Sequence, residues 1–255
     1  MSINLQAERL YDQIELVRGV GSRQRGQLCI MSFVALLAGD RHTDRPRTVS
    51  PFIRNFAIQL NDGAPDRMRA DLKPFAPGII GTSDGHDFER AALLFRMVET
   101  EVLPRAMNDF LNSREYALFE LSNKSPLLRV SAMWCDSRPS DCIASCFRAI
   151  RDEHERGDCL SLATRTGKLL VTLVQCAPHS SARRWYWAKA LELVDRLCEI
   201  GADTRQDGEK AGSVTKQHGA LAPPATPYLS PESVARRPMQ KISHMLRSAF
   251  ELIIA

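Results

Sequence analysis

Nowhere does this chain hold the ~20 consecutive apolar residues that a membrane-crossing helix needs. The opening MSINLQAERLYDQIELVRG is mixed and charged and lacks the apolar core of an export signal. No CxxC knuckle, GxSxG elbow, HExxH pair or GxGxxG loop occurs, which removes the common zinc, hydrolase, metalloprotease and dinucleotide signatures. Excess charge is also lacking: 34 basic against 30 acidic residues leave +4, far from the concentrated basic stripe of a dedicated nucleic-acid binder. Convincing period-two alternation is absent as well, so a β-rich fold is not expected.

What is present is ordinary for a globular protein of 255 residues, with 44% hydrophobic and 25% charged positions. The seven cysteines are an odd number set mostly within apolar helical patterns. They read as reduced thiols of a cytoplasmic protein rather than as a disulfide framework.

Helical periodicity runs along most of the chain. A first helix is expected over residues 3–19, with Ser2 as cap and Leu5, Leu10, Ile14 and Val17 near one face. A turn-like break over 20–26 and a helix over 27–39 stopped by Gly39 follow. Ser50-Pro51 is a strong start signal, since proline's missing amide proton is not needed in the first turn. The helix after it carries Phe52, Ile53, Phe56, Ala57 and Leu60. A short helix over 65–73, a loop over 78–85 and a long helix over 87–111 kinked at Pro104 come next. Further helices are expected over 114–135, 139–156, 158–176 and 180–200.

At Gly201 the composition changes. Residues 201–231 contain several prolines and glycines and few large apolar residues, and are expected to form a flexible linker. Beyond it Ile242, Met245, Leu246, Phe250 and Ile253, with Ala249 and Ile254, share one face of an amphipathic terminal helix over 232–255. Arg236, Arg237, Lys241, His244 and Arg247 bias that segment positive. Such a stripe can dock back on the core, bind a partner groove or lie on an anionic surface, and the first two are favoured because apolar residues at helical spacing usually find protein. The expectation is therefore an all-α array of about eight helices over 1–200, a linker, and a C-terminal helix.

The segments CIMSFVALLAGDRHTDRP, SPFIRNFAIQLNDGAPDRMR and LKPFAPGIIGT resemble a recurrent block in uncharacterised, all-helical bacterial proteins. The late segment ALELVDRLCEIGA is similar more loosely. The resemblance implies a helical fold and brings no activity, cofactor or catalytic residue.

Four constellations bear chemistry. His42 lies between Asp40 and Asp44, and helical hairpins could bring Asp62 and Arg69 nearby; an acid–base site would need such a histidine–carboxylate pairing. The same residues equally serve as turn and helix-end partners for the backbone. Cys142 and Cys146, four apart on a helix, with His154 two turns on, form a weak zinc candidate, against which Ile143 and Phe147 argue for a buried face. Arg183, Arg184, Trp185 and Trp187 could bind phosphate and stack bases, or pack as cation–π pairs on a helix surface. ATRTGKLL has the Gly-Lys of a phosphate loop, but Leu162 replaces the first glycine and Leu169 the hydroxyl residue, so that reading is rejected. No cofactor is expected. The leading function is a non-catalytic helical interaction or adaptor protein, possibly self-associating. A nucleic-acid-associated regulator using the arginine–aromatic helix comes second, and an enzyme built on the His42 loop third.

Overall fold

Ser50 and Pro51 act as their order predicts: the Ser50 hydroxyl accepts the Ile53 amide at 3.1 Å, and a helix runs Pro51–Gly63. This computed structural model describes residues 11, 13–111 and 139–202, with the backbone alone described at 111 and 139–142. The expected helix over 114–135, the linker beyond residue 202 and the terminal helix over 232–255 lie outside the described residues.

The chain is mostly helical but not purely so. Strands β1 (Glu15–Leu16), β2 (Gly21–Ser22) and β3 (Gln27–Leu28) form a small sheet in the order β1-β3-β2, with β1 parallel and β2 antiparallel to β3. This corrects the expected helix over 3–19 in its C-terminal part. Ile14 and Leu16 are buried while Gln13 and Glu15 are exposed, which is a period of two. Glycines at 19, 21 and 26 with positive φ then turn the chain sharply enough to pair such short strands.

Helix α1 (Ile30–Leu37) is buried on every side and forms the centre of the core. Its stop is Gly39, whose φ of 74° suits glycine. Helix α2 is Pro51–Gly63. Short turns α3 (Asp66–Arg69), a 3-10 stretch (Ala70–Phe75) and α4 (Ala76–Ile79) carry the chain past Pro74 and Pro77, farther than the expected end at 73. The long helix divides into α5 (Asp87–Met97), a π-turn (Val98–Val102) and α6 (Leu103–Leu111). Pro104 offers no amide to the carbonyl of Thr100. The Leu103 amide instead bonds to Val98, five residues back, so the kink takes the form of a widened turn. Helices α7 (Pro139–Glu155), α8 (Cys159–Cys176) and α9 (Ser180–Glu199) complete the array, close to their expected bounds.

The tightest crossing in the core is that of α2 with α8. A Cβ on Gly63 would stand 2.3 Å from Val171, and one on Gly167 would stand 2.7 Å from the Gln59 Cβ and 3.1 Å from the Phe56 carbonyl. Gly167, the glycine of the rejected phosphate-loop match, is therefore a packing residue that lets two backbones approach.

Candidate functional site

The polar residues expected to meet around His42 divide between two places. Asp62 and Arg69 belong to a clasp that fastens the small sheet to α2. The Asp62 carboxylate accepts the Gly19 amide at 3.0 Å, and the buried Arg69 donates to the carbonyls of Asn61, Ala64 and Leu16 and to Asp66. Asn61 completes it, accepting the Ile30 amide and donating to the Val17 carbonyl. All of these bonds except that to Asp66 satisfy backbone at a strand or helix end. His42 is exposed and Asp44 half-buried in the loop after α1, and no hydrogen bond or ion pair joins either to Asp62 or Arg69. The loop does not assemble the expected acid–base constellation. Cys29, read from the sequence as a small hydrophobe, is buried and also caps α1, its sulfur accepting the Ser32 amide at 3.3 Å.

The arginine–aromatic helix is likewise turned mostly inward. Trp187 and Tyr186 are buried; the Trp187 indole donates to Asp71 at 2.9 Å and the Tyr186 hydroxyl to Asp109 at 2.9 Å. Burial foremost, and then the Asp109 carboxylate, push the Tyr186 hydroxyl well above its ordinary range. Arg183 reaches back to the Val174 carbonyl, and Arg184 is exposed. Cation–π packing is present, but its partners differ from those expected: Arg105 and Lys189 lie 5.5 Å and 5.7 Å from the Trp185 ring. Lys189 is itself nearly buried and bonds Glu101 and Glu192. A base could not stack on Trp187 without unfolding α9, which removes one of the two tryptophan platforms the sequence suggested.

For the zinc candidate, the Cys142 side chain lies outside the described residues, Cys146 is half-buried, and the His154 ring is stacked on Phe95 with centroids 4.3 Å apart and planes at 13°. Among the described residues no group of three histidine, cysteine, aspartate or glutamate side chains is placed to hold a metal ion.

One surface feature went unsingled in the sequence. Phe88 is 69% exposed at the start of α5, and Leu160 is 42% exposed at the start of α8. Phe88 borders a small hollow of about 40 Å³, lined also by Ala91, Glu153, His154, Gly157, Cys159 and Leu162. The tight turn between α7 and α8 makes room for it: Gly157 has a φ of 68°, and a Cβ there would touch the Phe88 ring at 3.7 Å. The hollow is far smaller than the ~300–1,000 Å³ typical of small-molecule sites.

Two of the ionisable groups lining this hollow are shifted by their surroundings. Burial opposes ionisation of Glu153, but hydrogen bonds and charge from Arg156 at 2.7 Å and Arg165 at 2.6 Å outweigh it and hold the carboxyl below its ordinary value. A carboxylate so paired is a poor base. Burial first, then the negative charges of Asp87 and Asp158, push the Cys159 thiol up, away from the reactive thiolate.

The Glu153 pairing predicts an acid-sensitive fold. Because its folded pKa is depressed, its stabilisation is present above the ordinary value of 4.5 and is lost as pH falls through the lower folded value. Urea titrations from neutral pH downward should show stability falling below about pH 4.5. Glu153→Gln should flatten that limb; an unchanged slope would mean that the pairing is not felt.

No family model, curated protein or solved structure matches the chain. Among the described residues no helix is long and apolar enough to cross a membrane.

Proposed function

We propose that this is a non-catalytic helical interaction protein whose binding surface is centred on the exposed Phe88. The observation that carries the reading is the exposure of Phe88 at the start of α5. A large aromatic left 69% exposed beside a hollow is the kind of anchor around which protein interfaces are built. The buried arginines support the same reading from the other side: Arg69 and Arg90 spend their donors on backbone carbonyls and carboxylates of this chain, holding helix ends rather than a substrate.

The test is native mass spectrometry of the full-length protein purified gently from its own host, beside Phe88→Asp. A co-purifying protein or a defined homo-oligomer that disappears in the variant, with the helical circular dichroism unchanged, is the expected result. Loss of nothing on Phe88→Asp, or bound nucleic acid retained by both proteins, would count against this surface.

A further inference from the structure

We infer that the exposed Phe88 of one copy of this chain meets the small sheet of a second copy, so that the protein assembles head to tail. This rests on the reading of Phe88 as a binding surface and names the partner: another molecule of the same chain.

Three observations converge. The first is where large apolar side chains are left outside. Among the described residues these are Val20, Phe88 and Leu160. Phe88 and Leu160 stand at the starts of α5 and α8, and Leu160 follows Cys159, which lines the same hollow as Phe88. Val20, 41% exposed, belongs to the turn between β1 and β2. The exposed apolar residues thus form two spots, not one.

The second is charge, which has opposite sign at the two spots. Beside Val20, Arg18, Arg23 and Arg25 are exposed, and among the described residues none of the three has an ion-pair partner. The carboxylates on that side are engaged, Glu15 by the Gln27 side chain and Asp62 by the Gly19 amide. At the other spot Glu89 follows Phe88, and Glu155 and Asp158 flank Gly157, where an added Cβ would touch the Phe88 ring. All three acids are exposed, although Glu89 also pairs with His86 at 3.5 Å. Arg156 lies on this side too, bonded to Glu153. An apolar spot edged with arginine fits one edged with carboxylate, whereas two Phe88 faces would bring like charges together.

The third is placement. The Gly19 amide bonds Asp62 near the end of α2, while Ser50 at its start donates to Asp87, the neighbour of Phe88. Residues 50–62 therefore hold the two spots about 18 Å apart at the helical rise. Complementary spots at opposite ends of one helix cannot meet within a chain. They join successive copies in a heterologous contact, which closes into a ring or grows. The Asn61, Asp62 and Arg69 clasp fixes the backbone over residues 16–19, so little ordering is lost on contact.

Sedimentation velocity of the full-length chain tests this. The mass should rise with concentration above the 28.6 kDa of one copy and fall back as salt screens the charges. Phe88→Asp and Val20→Asp should each run as a single copy. Their equimolar mixture should recover a species of twice 28.6 kDa and go no further, because each variant keeps one intact face. Arg23→Glu with Arg25→Glu alters exposed side chains alone; it should behave as Val20→Asp does, which guards against a local misfolding at Val20. A full-length chain that stays a single copy at every concentration would overturn the inference. So would assembly lost in Phe88→Asp but indifferent to both sheet variants, the mark of a contact between two Phe88 faces. A mixture that stays unassembled while every variant keeps its helical circular dichroism would do the same. The two readings fail separately. A different protein captured by a single-copy chain and lost in Phe88→Asp sinks head-to-tail assembly alone, whereas assembly that survives Phe88→Asp sinks both.

Discussion

Arg90→Ala is expected to lower the unfolding free energy by about 3–5 kcal/mol, the range found when one member of a buried ion pair is removed. Arg90 is fully buried on α5. Its guanidinium holds Asp84 through two bonds of 2.7 and 2.6 Å, reaches Asp87 at 3.2 Å, and donates to the carbonyls of Thr82, Leu197 and Ile200. Two of those carbonyls belong to the end of α9, where helix carbonyls have no partner of their own. Around this node Ser50 donates to Asp87, and the Ser50 amide bonds the Thr82 hydroxyl, so the start of α2 is drawn in as well. Removal of the arginine leaves a nearly buried aspartate uncompensated and several carbonyls orphaned. Since a domain has only about 5–15 kcal/mol in total, the variant should sit near the edge of folding. Urea denaturation with a helical circular dichroism readout checks it. Arg90→Lys should recover only part of the loss, because a single ammonium cannot reproduce the planar fork that bridges Asp84 and the α9 carbonyls. A loss below about 1 kcal/mol, as for an exposed pair, would show that the node is not holding the helices together.

The second large effect is expected at Gly167. Alanine favours a helix interior over glycine by about 1 kcal/mol, so a surface position would be stabilised by the change. At Gly167 the sign should reverse. The new Cβ meets the Gln59 Cβ and the Phe56 carbonyl, both too close, and neither is the movable end of a long side chain. Helices α2 and α8 must then separate, and Gly167→Ala should cost about 1–3 kcal/mol as an overpacked core position. Gly167→Leu should fail to give a soluble folded chain. Thermal melts of the alanine variant decide the matter, and a raised midpoint would mean that the crossing is looser than it is drawn.

These two positions mark the limit of what could be read in advance. Gly167 drew notice in the sequence only as part of an imperfect phosphate loop, because the pattern around it carries no sign that another helix passes within contact of its Cα. Arg90 attracted no notice at all. One arginine among 27 looks like any other, and burial of a charge becomes visible only when the elements bearing Asp84, Thr82 and Leu197 are brought around it. Phe88 carries no local sign of its exposure, and only the packing of α7 and α8 reveals that nothing among the described residues covers it. The small sheet was missed for a subtler reason. Its strands are two residues long, too short for alternation to stand out, although buried Ile14 and Leu16 and three glycines at turning points hold the pattern.

Local chemistry needs no partner to be legible. Ser50-Pro51 started α2, Gly39 ended α1, and Pro104 disturbed the long helix, because each acts on backbone groups within a few residues of itself. By itself the sequence therefore determined, among the described residues, the helices from α1 onward, most of their ends, and the mostly helical class. Only the tertiary structure decided which polar groups meet, since Arg90 and Leu197 are 107 residues apart and no local pattern joins them. It likewise decided which apolar residue is left outside, because burial depends on what packs above a residue and not on the residue itself.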